Sequence, residues 1–344
     1  MRVCMLSYSY YESDNRVRRY AESLAERGDS VDIIAISNGK RPKYEKIRGV
    51  NVYRIQSRIK NEKKKQDYLF RVLLFLIKSF IHLTFHHLRA PYDLIHVHSV
   101  PDFEVFAALV PRLMGSKIIL DIHDIVPEFY AGKFNSGKDS PLKRALIWIE
   151  RLCCNFSHHV IISNDLWRDL LISRSVTESK CTSIINYPDN NIFSGDINKS
   201  SSIEEPFTII YPGTLNYHQG VDIAVRAMSQ VRKAIPKVRF DIYGIGPLLP
   251  TLEKLIKELE LQSIVFLKNI LPLEEIAQKM GNAQLGIVPK RAEGFGNEAF
   301  STKILEFMIL GVPVIVSETK IDRYYFNESL VEFFKSYFQK LCMR

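Results

Sequence analysis

The stretch Glu298-Ala299-Phe300-Ser301-Thr302-Lys303-Ile304-Leu305-Glu306-Phe307-Met308-Ile309-Leu310-Gly311-Val312-Pro313-Val314-Ile315-Val316-Ser317 decides the reading of this chain. Two carboxylates, Glu298 and Glu306, stand with seven residues between them. The apolar spacing predicts a helix that stops at Gly311, and Pro313 opens a short apolar strand. Ser301 or Thr302 is placed to cap the helix start, where free backbone N–H groups and the positive end of the dipole face outward. Such an end attracts a phosphate, and Lys303 lies on its first turn. A carboxylate about one turn inside, at Glu306, can accept hydrogen bonds from two neighbouring hydroxyls, as on a ribose. Glu298, just ahead of the helix, is placed to touch whatever hangs beyond the phosphates. The layout suits a nucleotide diphosphate carrying a sugar. An ordinary amphipathic helix with a glycine stop explains Gly311-Val312-Pro313-Val314 equally well, so the rest of the chain has to decide.

A chain of 344 residues is long enough for two domains with proper cores. A hydrophobic fraction of 46% and a charged fraction of 25% are normal for a soluble globular protein. The net charge of +9 favours polyanionic partners. No compact Arg/Lys stripe interleaved with aromatics is present, so nucleic acid is not expected. The five cysteines form no Cys-x-x-Cys and read as reduced thiols of a cytoplasmic protein. The start, Met1 to Tyr8, turns polar too soon for a signal peptide and reads as a buried strand.

Residues 58–90 stand apart. Arg58, Lys60, Lys63, Lys64 and Lys65 precede a long apolar run that Arg71, Lys78 and His82 interrupt. A spanning helix needs about 20 apolar residues. A helix lying on an anionic membrane surface fits better, and a helix buried in its own domain with snorkelling basic residues fits as well.

Strand and helix signals alternate along the chain. Strands are predicted near 2–6, 31–36, 52–55, 94–98, 118–122, 160–163 and 182–185, with helices near 16–27, 68–87, 103–114, 141–156 and 165–173. This predicts a parallel sheet covered on both faces. A polar, turn-rich stretch follows, from Tyr187-Pro188-Asp189 to Pro206. The alternation then restarts, ending on the helix near 300–310 and the strand at 314–317. The expected division is therefore a first domain over 1–188, a linker over 189–206 and a second domain over 207–344. Ligands of such sheets sit at the carboxyl ends of the strands.

The pattern Glu298, Glu306 and Gly311-Val312-Pro313-Val314-Ile315 resembles the donor-site motif of glycosyltransferase family 4, a retaining family with the α/β GT-B fold. That fold has two Rossmann-like doubly wound domains facing a central cleft. Glu293-Gly294-Phe295-Gly296 looks similar to the family's Glu-Gly-Phe-Gly, but its spacing to Glu306 is too long. Tyr211-Pro212-Gly213-Thr214-Leu215 follows the second domain's first strand, and Gly213 lets the backbone approach a ligand. Tyr243-Gly244-Ile245-Gly246-Pro247 resembles the family's Gly-x-Gly-Pro turn beside the nucleotide. In the first domain, Asp14-Asn15-Arg16, His96-Val97-His98 and Asp121-Ile122-His123-Asp124 are similar to the acceptor half. The resemblance implies catalytic roles for Glu298 and His123. It implies donor binding through Gly213, Gly244, Gly246, Lys290, Phe300, Ser301, Thr302, Lys303 and Glu306. His96 and His98 share a strand face, but no third ligand is evident, so no metal is expected. Glu128 reads as an acceptor-side group or a solvated loop carboxylate.

The chain departs from the family in three places. The loop Ser9-Tyr10-Tyr11-Glu12-Ser13 lacks the usual two glycines. The segment Thr214 to Gln219 lacks the Arg and Lys that clamp the diphosphate, so Lys303 is expected to supply that charge, with Lys290 or Arg291. The C-terminus reads as short of the family's final helices. The expected function is retaining transfer of a sugar from a nucleotide-diphosphate donor to a hydroxyl of a glycan or polyprenyl-linked glycan. Bacterial surface polysaccharide assembly at the inner face of the plasma membrane is the fitting pathway. A truncated non-catalytic copy and a GT-B nucleotide-sugar epimerase are the alternatives.

Overall fold

The computed structural model describes residues 1–57, 65–128, 140–194 and 206–335. The basic lead-in at 58–64, most of the expected linker and the last nine residues lie outside them. The chain divides into two compact units, Met1–Ile185 and Asn186–Arg344.

The first unit is built on strands β1 (Arg2–Ser7), β2 (Ser30–Ser37), β3 (Tyr44–Ile47), β4 (Val50–Ser57), β5 (Leu94–His98), β6 (Lys117–Ile122), β7 (His159–Ile162) and β8 (Cys181–Ser183). Their order across the sheet is β3-β4-β2-β1-β5-β6-β7-β8. All neighbours run parallel except β3, which pairs antiparallel with β4. β1 shows why: Val3, Cys4, Met5 and Leu6 are all fully buried, so this strand is covered on both faces. The helix Asn15–Glu26 starts where the Asp14 carboxylate accepts from the Val17 N–H. The expected single helix at 103–114 is instead a 3-10 segment, Asp102–Ala108, followed by the helix Leu109–Leu113. The change places Pro111 in a first turn, where its missing N–H breaks no bond.

The second unit carries β9 (Phe207–Pro212), β10 (Val238–Tyr243), β11 (Val265–Lys268), β12 (Leu285–Val288), β13 (Val314–Ser317) and β14 (Glu332–Phe334) in the order β11-β10-β9-β12-β13-β14, all parallel. Alternate residues of β9 feed two cores. Ile209 and Tyr211 pack with Phe240, Ile242 and Leu252, while Ile210 packs with Val288, Ile304 and Phe307. Each unit is thus a Rossmann-like α/β layer structure, as expected.

The expected linker is partly core. Asp189 turns the chain by accepting from the Ile192 and Phe193 N–H groups, and Phe193, 2% exposed, packs in the second unit's core. One apolar residue in a polar stretch gives no period to read. Strands β3 and β14 and the helices Gly294–Glu298 and Lys320–Tyr325 were not expected either, because each is six residues or shorter.

Candidate functional site

In the second unit the predicted helix forms as Thr302–Ile309, with Ser301 at its N-cap and Gly311 in the left-handed conformation (φ 61°) just beyond its end. The Val312 N–H returns to the Phe307 carbonyl at 2.9 Å, which closes the stop. The capping expectation needs correcting. Ser301 occupies the cap position, but its hydroxyl makes no cap hydrogen bond. The residue is 7% exposed, and its Oγ has no hydrogen-bond partner among the described residues. A buried polar atom at a helix start is a group available to a ligand.

Lys303, one residue into the helix, extends over Gly213. A Cβ built on Gly213 would lie 2.4 Å from Lys303 Cε and 3.0 Å from its Nζ. Gly213 also has φ 148°, a conformation that L residues rarely adopt. Lys303 Nζ stands 5.6 Å from the centre of the Tyr211 ring, and among the described residues it has no hydrogen-bond or ion-pair partner. Burial pushes its ammonium below the ordinary lysine value; Glu306 acts in the opposite sense, and Lys290 adds to the depression. An anion bound here would relieve that desolvation.

Gly244 and Gly246 are required by the packing of one main-chain loop on another. A Cβ on Gly244 would meet the Gly213 carbonyl oxygen at 1.8 Å, and one on Gly246 would meet the Leu215 oxygen at 2.4 Å. Three backbone bonds join the same loops: Gly213 N–H to Tyr243 O at 2.8 Å, Leu215 N–H to Ile245 O at 3.0 Å and Leu248 N–H to Leu215 O at 2.9 Å. The two glycines make room for main chain, so the nucleotide contact expected of them is not what requires them.

Lys290 and Arg291 are not free to clamp a diphosphate. Lys290 is 2% exposed and donates to the Ala299 carbonyl at 2.8 Å and to Asp322 Oδ1 at 3.0 Å. Arg291 is bound at both ends of its fork by Asp222, at 2.9 and 2.7 Å, and lies over the Tyr217 ring. Their partners lie 32 and 69 residues away, out of reach of any local pattern. Lys290→Ala would leave the fully buried Asp322 with a hydroxyl partner, Thr319, and no cation. Unfolding by denaturant should show a loss of about 3–5 kcal/mol.

Glu298 ends the helix Gly294–Glu298, and its carboxylate is 3.2 Å from Lys320 Nζ. Phe300 meets Tyr325 edge-on and stacks with Phe326, so its ring anchors the helix start in the core. Thr302 and Glu306 are both half-buried. The sequence reading missed His218 and Tyr211. The His218 imidazole packs edge-on to Phe295 and is pushed down by burial, then by Lys303 and Lys290.

In the first unit, His123 follows β6 and its Nε2 lies 3.2 Å from His98 Nδ1 and 3.5 Å from Asp121 Oδ2. Burial works against the His123 imidazolium, but Asp121 outweighs it and the value rises. Burial alone would raise the Asp121 carboxyl; His123, with His96 and His98, holds it well below the usual carboxylate range. Asp121 is the third group that the sequence did not reveal: ligating atoms of His96, His98 and Asp121 all lie within 4.8 Å of one another. Yet Arg16 donates to both Asp121 oxygens, at 2.8 and 3.1 Å. A fixed guanidinium against the carboxylate is a poor neighbour for a dication, so the cluster does not fit a metal centre. It orients His123 instead. Glu128 is neither solvated nor free, because Arg174 holds it at 2.7 and 2.9 Å and Lys143 stands 3.3 Å away.

Comparison with known proteins follows the same two halves. Residues 13–186 match the family described as "Glycosyl transferase 4-like domain", and residues 194–331 match "Glycosyl transferases group 1". An uncharacterized glycosyltransferase of Methanocaldococcus jannaschii is 26% identical over 317 residues, covering 86% of this chain and 74% of that one. An O-antigen biosynthesis glycosyltransferase of Escherichia coli, WclY, is 24% identical over 260 residues, covering 70% of this chain and 65% of that one. The crystal structure of Anabaena HepE in complex with UDP and glucose superimposes with a TM-score of 0.69 at 15% identity, covering 97% of this chain and 86% of that one.

Proposed function

Because this chain belongs to family 4 of the glycosyltransferases, we propose that its second unit binds a nucleotide-diphosphate sugar at the start of the helix Thr302–Ile309 and that the enzyme transfers the sugar with retention. The observation that carries this is Lys303, an ammonium at a helix N-terminus beside a buried hydroxyl and, among the described residues, without hydrogen-bond or ion-pair partner. The helix end and Lys303 would take up charge as the diphosphate departs, which is electrostatic stabilisation of the leaving group. Glu306 would hold the ribose hydroxyls and Glu298 the sugar hydroxyls, with Lys320 fixing the Glu298 carboxylate. His123, oriented by Asp121, would contact the transferred sugar. The acceptor hydroxyl attacks the anomeric carbon on the face the diphosphate leaves. The bond to the diphosphate breaks as the new glycosidic bond forms, and the leaving phosphate takes the acceptor proton. No step in this scheme calls for a metal.

For the acceptor we infer a glycan hydroxyl, borne on a polyprenyl carrier at the cytoplasmic face of the membrane, in assembly of a bacterial surface polysaccharide. The likeness to an O-antigen enzyme supports that pathway. Uracil is the first base to try, since HepE was solved with UDP.

The test is thermal stabilisation by UDP, GDP and ADP and their sugars, on the wild type and on Glu306→Ala. One nucleotide at 100 times its Kd should stabilise the fold by about 2.7 kcal/mol, and Glu306→Ala should lose most of that. No shift with any nucleotide would favour a non-catalytic copy, a reading that the commitment of Lys290 and Arg291 to internal ion pairs supports.

A further inference from the structure

The helix Lys65–Arg89 has one face in the protein and one face outside it. Val72, Phe75, Ser79, Leu83 and His87 are at most 1% exposed and form the inner face. Leu69, Leu73, Ile77, Ile81, Phe85 and Leu88 recur at steps of four and then three and form the outer face, with Ile81 and Leu88 each 61% exposed. This apolar ridge is about 28 Å long at 1.5 Å per residue.

It does not stand alone. β4, β5, β6 and β7 follow one another through the sheet in one direction, β4 to β5 crossing over β2 and β1. Right-handed crossovers therefore put their connecting helices on one face of the sheet. Those helices are Lys65–Arg89, Leu109–Leu113 and Pro141–Phe156, and the segment Asp102–Ala108 packs against both long ones. The outer side of the shorter helix presents Leu109 and Leu113, the latter 74% exposed. The outer side of Pro141–Phe156 presents Leu142, Leu152 and Trp148, the last 61% exposed. A broad outward apolar face on a folded unit marks an interaction surface.

The exposed charges around it are mostly positive. Arg89, Arg144 and Arg151 are exposed on the same helices. Their acidic residues are Asp67, in the first turn of the long helix, and Glu150, which is 2% exposed and bound by Arg174. A second copy docked by two-fold symmetry would set these arginines against themselves. A surface of anionic phospholipid would meet both the apolar ridge and the cations.

We propose that the outer faces of Lys65–Arg89, Leu109–Leu113 and Pro141–Phe156 form one docking plane for an anionic lipid bilayer. The long helix lies flat in the headgroup region, because its inner face is occupied by the rest of the unit. Trp148 sits at the interface, where an amphipathic ring is favoured.

The full chain would be mixed with vesicles of phosphatidylcholine alone and with vesicles containing phosphatidylglycerol, and read by flotation and by tryptophan emission. Trp167 is 2% exposed, so a blue shift reports on Trp148, and Trp167→Phe isolates it. Binding to the anionic vesicles should be tighter by about tenfold or more. Ile77→Glu with Ile81→Glu should weaken it by about tenfold or more without altering the circular dichroism, since both side chains point out. Arg144→Glu with Arg151→Glu should abolish the preference for phosphatidylglycerol. Absence of vesicle binding by the wild type overturns the proposal, as does a lipid-free dimer in sedimentation that shields Trp148. Neither donor nor acceptor is present, so failure here leaves the donor reading untouched.

Discussion

Lys303→Ala is expected to lower kcat/KM for the donor by about 10²–10³-fold with thermal stability near that of the wild type. Two observations set the size of that effect. The two other cations nearby in sequence, Lys290 and Arg291, are bound to Asp322 and Asp222. The segment after β9 contains no Arg or Lys up to Gln219. Lys303 therefore carries the full positive side-chain charge that the scheme assigns to the diphosphate. The loss should fall on KM and kcat together, since the charge on the phosphates grows as the sugar leaves. Gly213→Ala should act in the same direction, because its Cβ would displace the lysine stem. The pH profile gives an independent check. Burial lowers the Lys303 value, so the ammonium loses its proton below the ordinary lysine range of about 10.4. Donor affinity should fall on the alkaline side accordingly, and Lys303→Arg should move that limb upward. A Lys303→Ala enzyme with unchanged donor kinetics would sink the assignment.

Asp121→Asn should destabilise the first unit by about 3–5 kcal/mol and remove most of the activity as well. Asp121 is completely buried and Arg16 is 6% exposed. Without the carboxylate charge, the guanidinium is left among the described residues with neutral acceptors such as the Ile184 carbonyl, at 2.9 Å. His123 loses the group that raises its value and fixes its ring. The sign with pH follows from the direction of each shift. The Asp121 value is depressed, so its contribution is present above the unfolded value of about 3.9 and is lost as pH falls through the folded one. The His123 value is raised, so its contribution is present below about 6.5 and is lost as pH rises through the folded value. The gap between wild type and variant should therefore be widest in mildly acid solution. Urea titrations at several pH values would measure it, and a gap under about 1 kcal/mol throughout would show that the cluster is not tightly coupled.

Much of this was legible in the sequence, for identifiable reasons. Short apolar runs alternating with helical periods marked both parallel sheets, because parallel strands are buried on two sides. The Glu298 to Ser317 stretch placed the cap position, Lys303, Glu306 and the stop at Gly311, since these depend on local helix geometry. What stayed hidden was pairing across the fold. Nothing near Lys290 announces Asp322, and nothing near His96 or His98 announces Asp121. The glycines at 244 and 246 were visible, but a glycine near a ligand and a glycine near another backbone look alike in a sequence. Strand β14 and the helix Lys320–Tyr325 were missed because three to six residues carry too little periodicity.

The three main-chain bonds that tie residues 213–215 to 243–248 also bear on the thermodynamics of binding. A loop held like this has already lost its conformational entropy when the protein folds. A ligand settling on it need not order it again, and more of the contact energy remains as affinity. The floor beneath Lys303 is in this sense prepaid, and its amides belong with the slowly exchanging strands rather than with the mobile connections. Selectivity among donors then falls to the side chains around that floor, which can change without unpicking it.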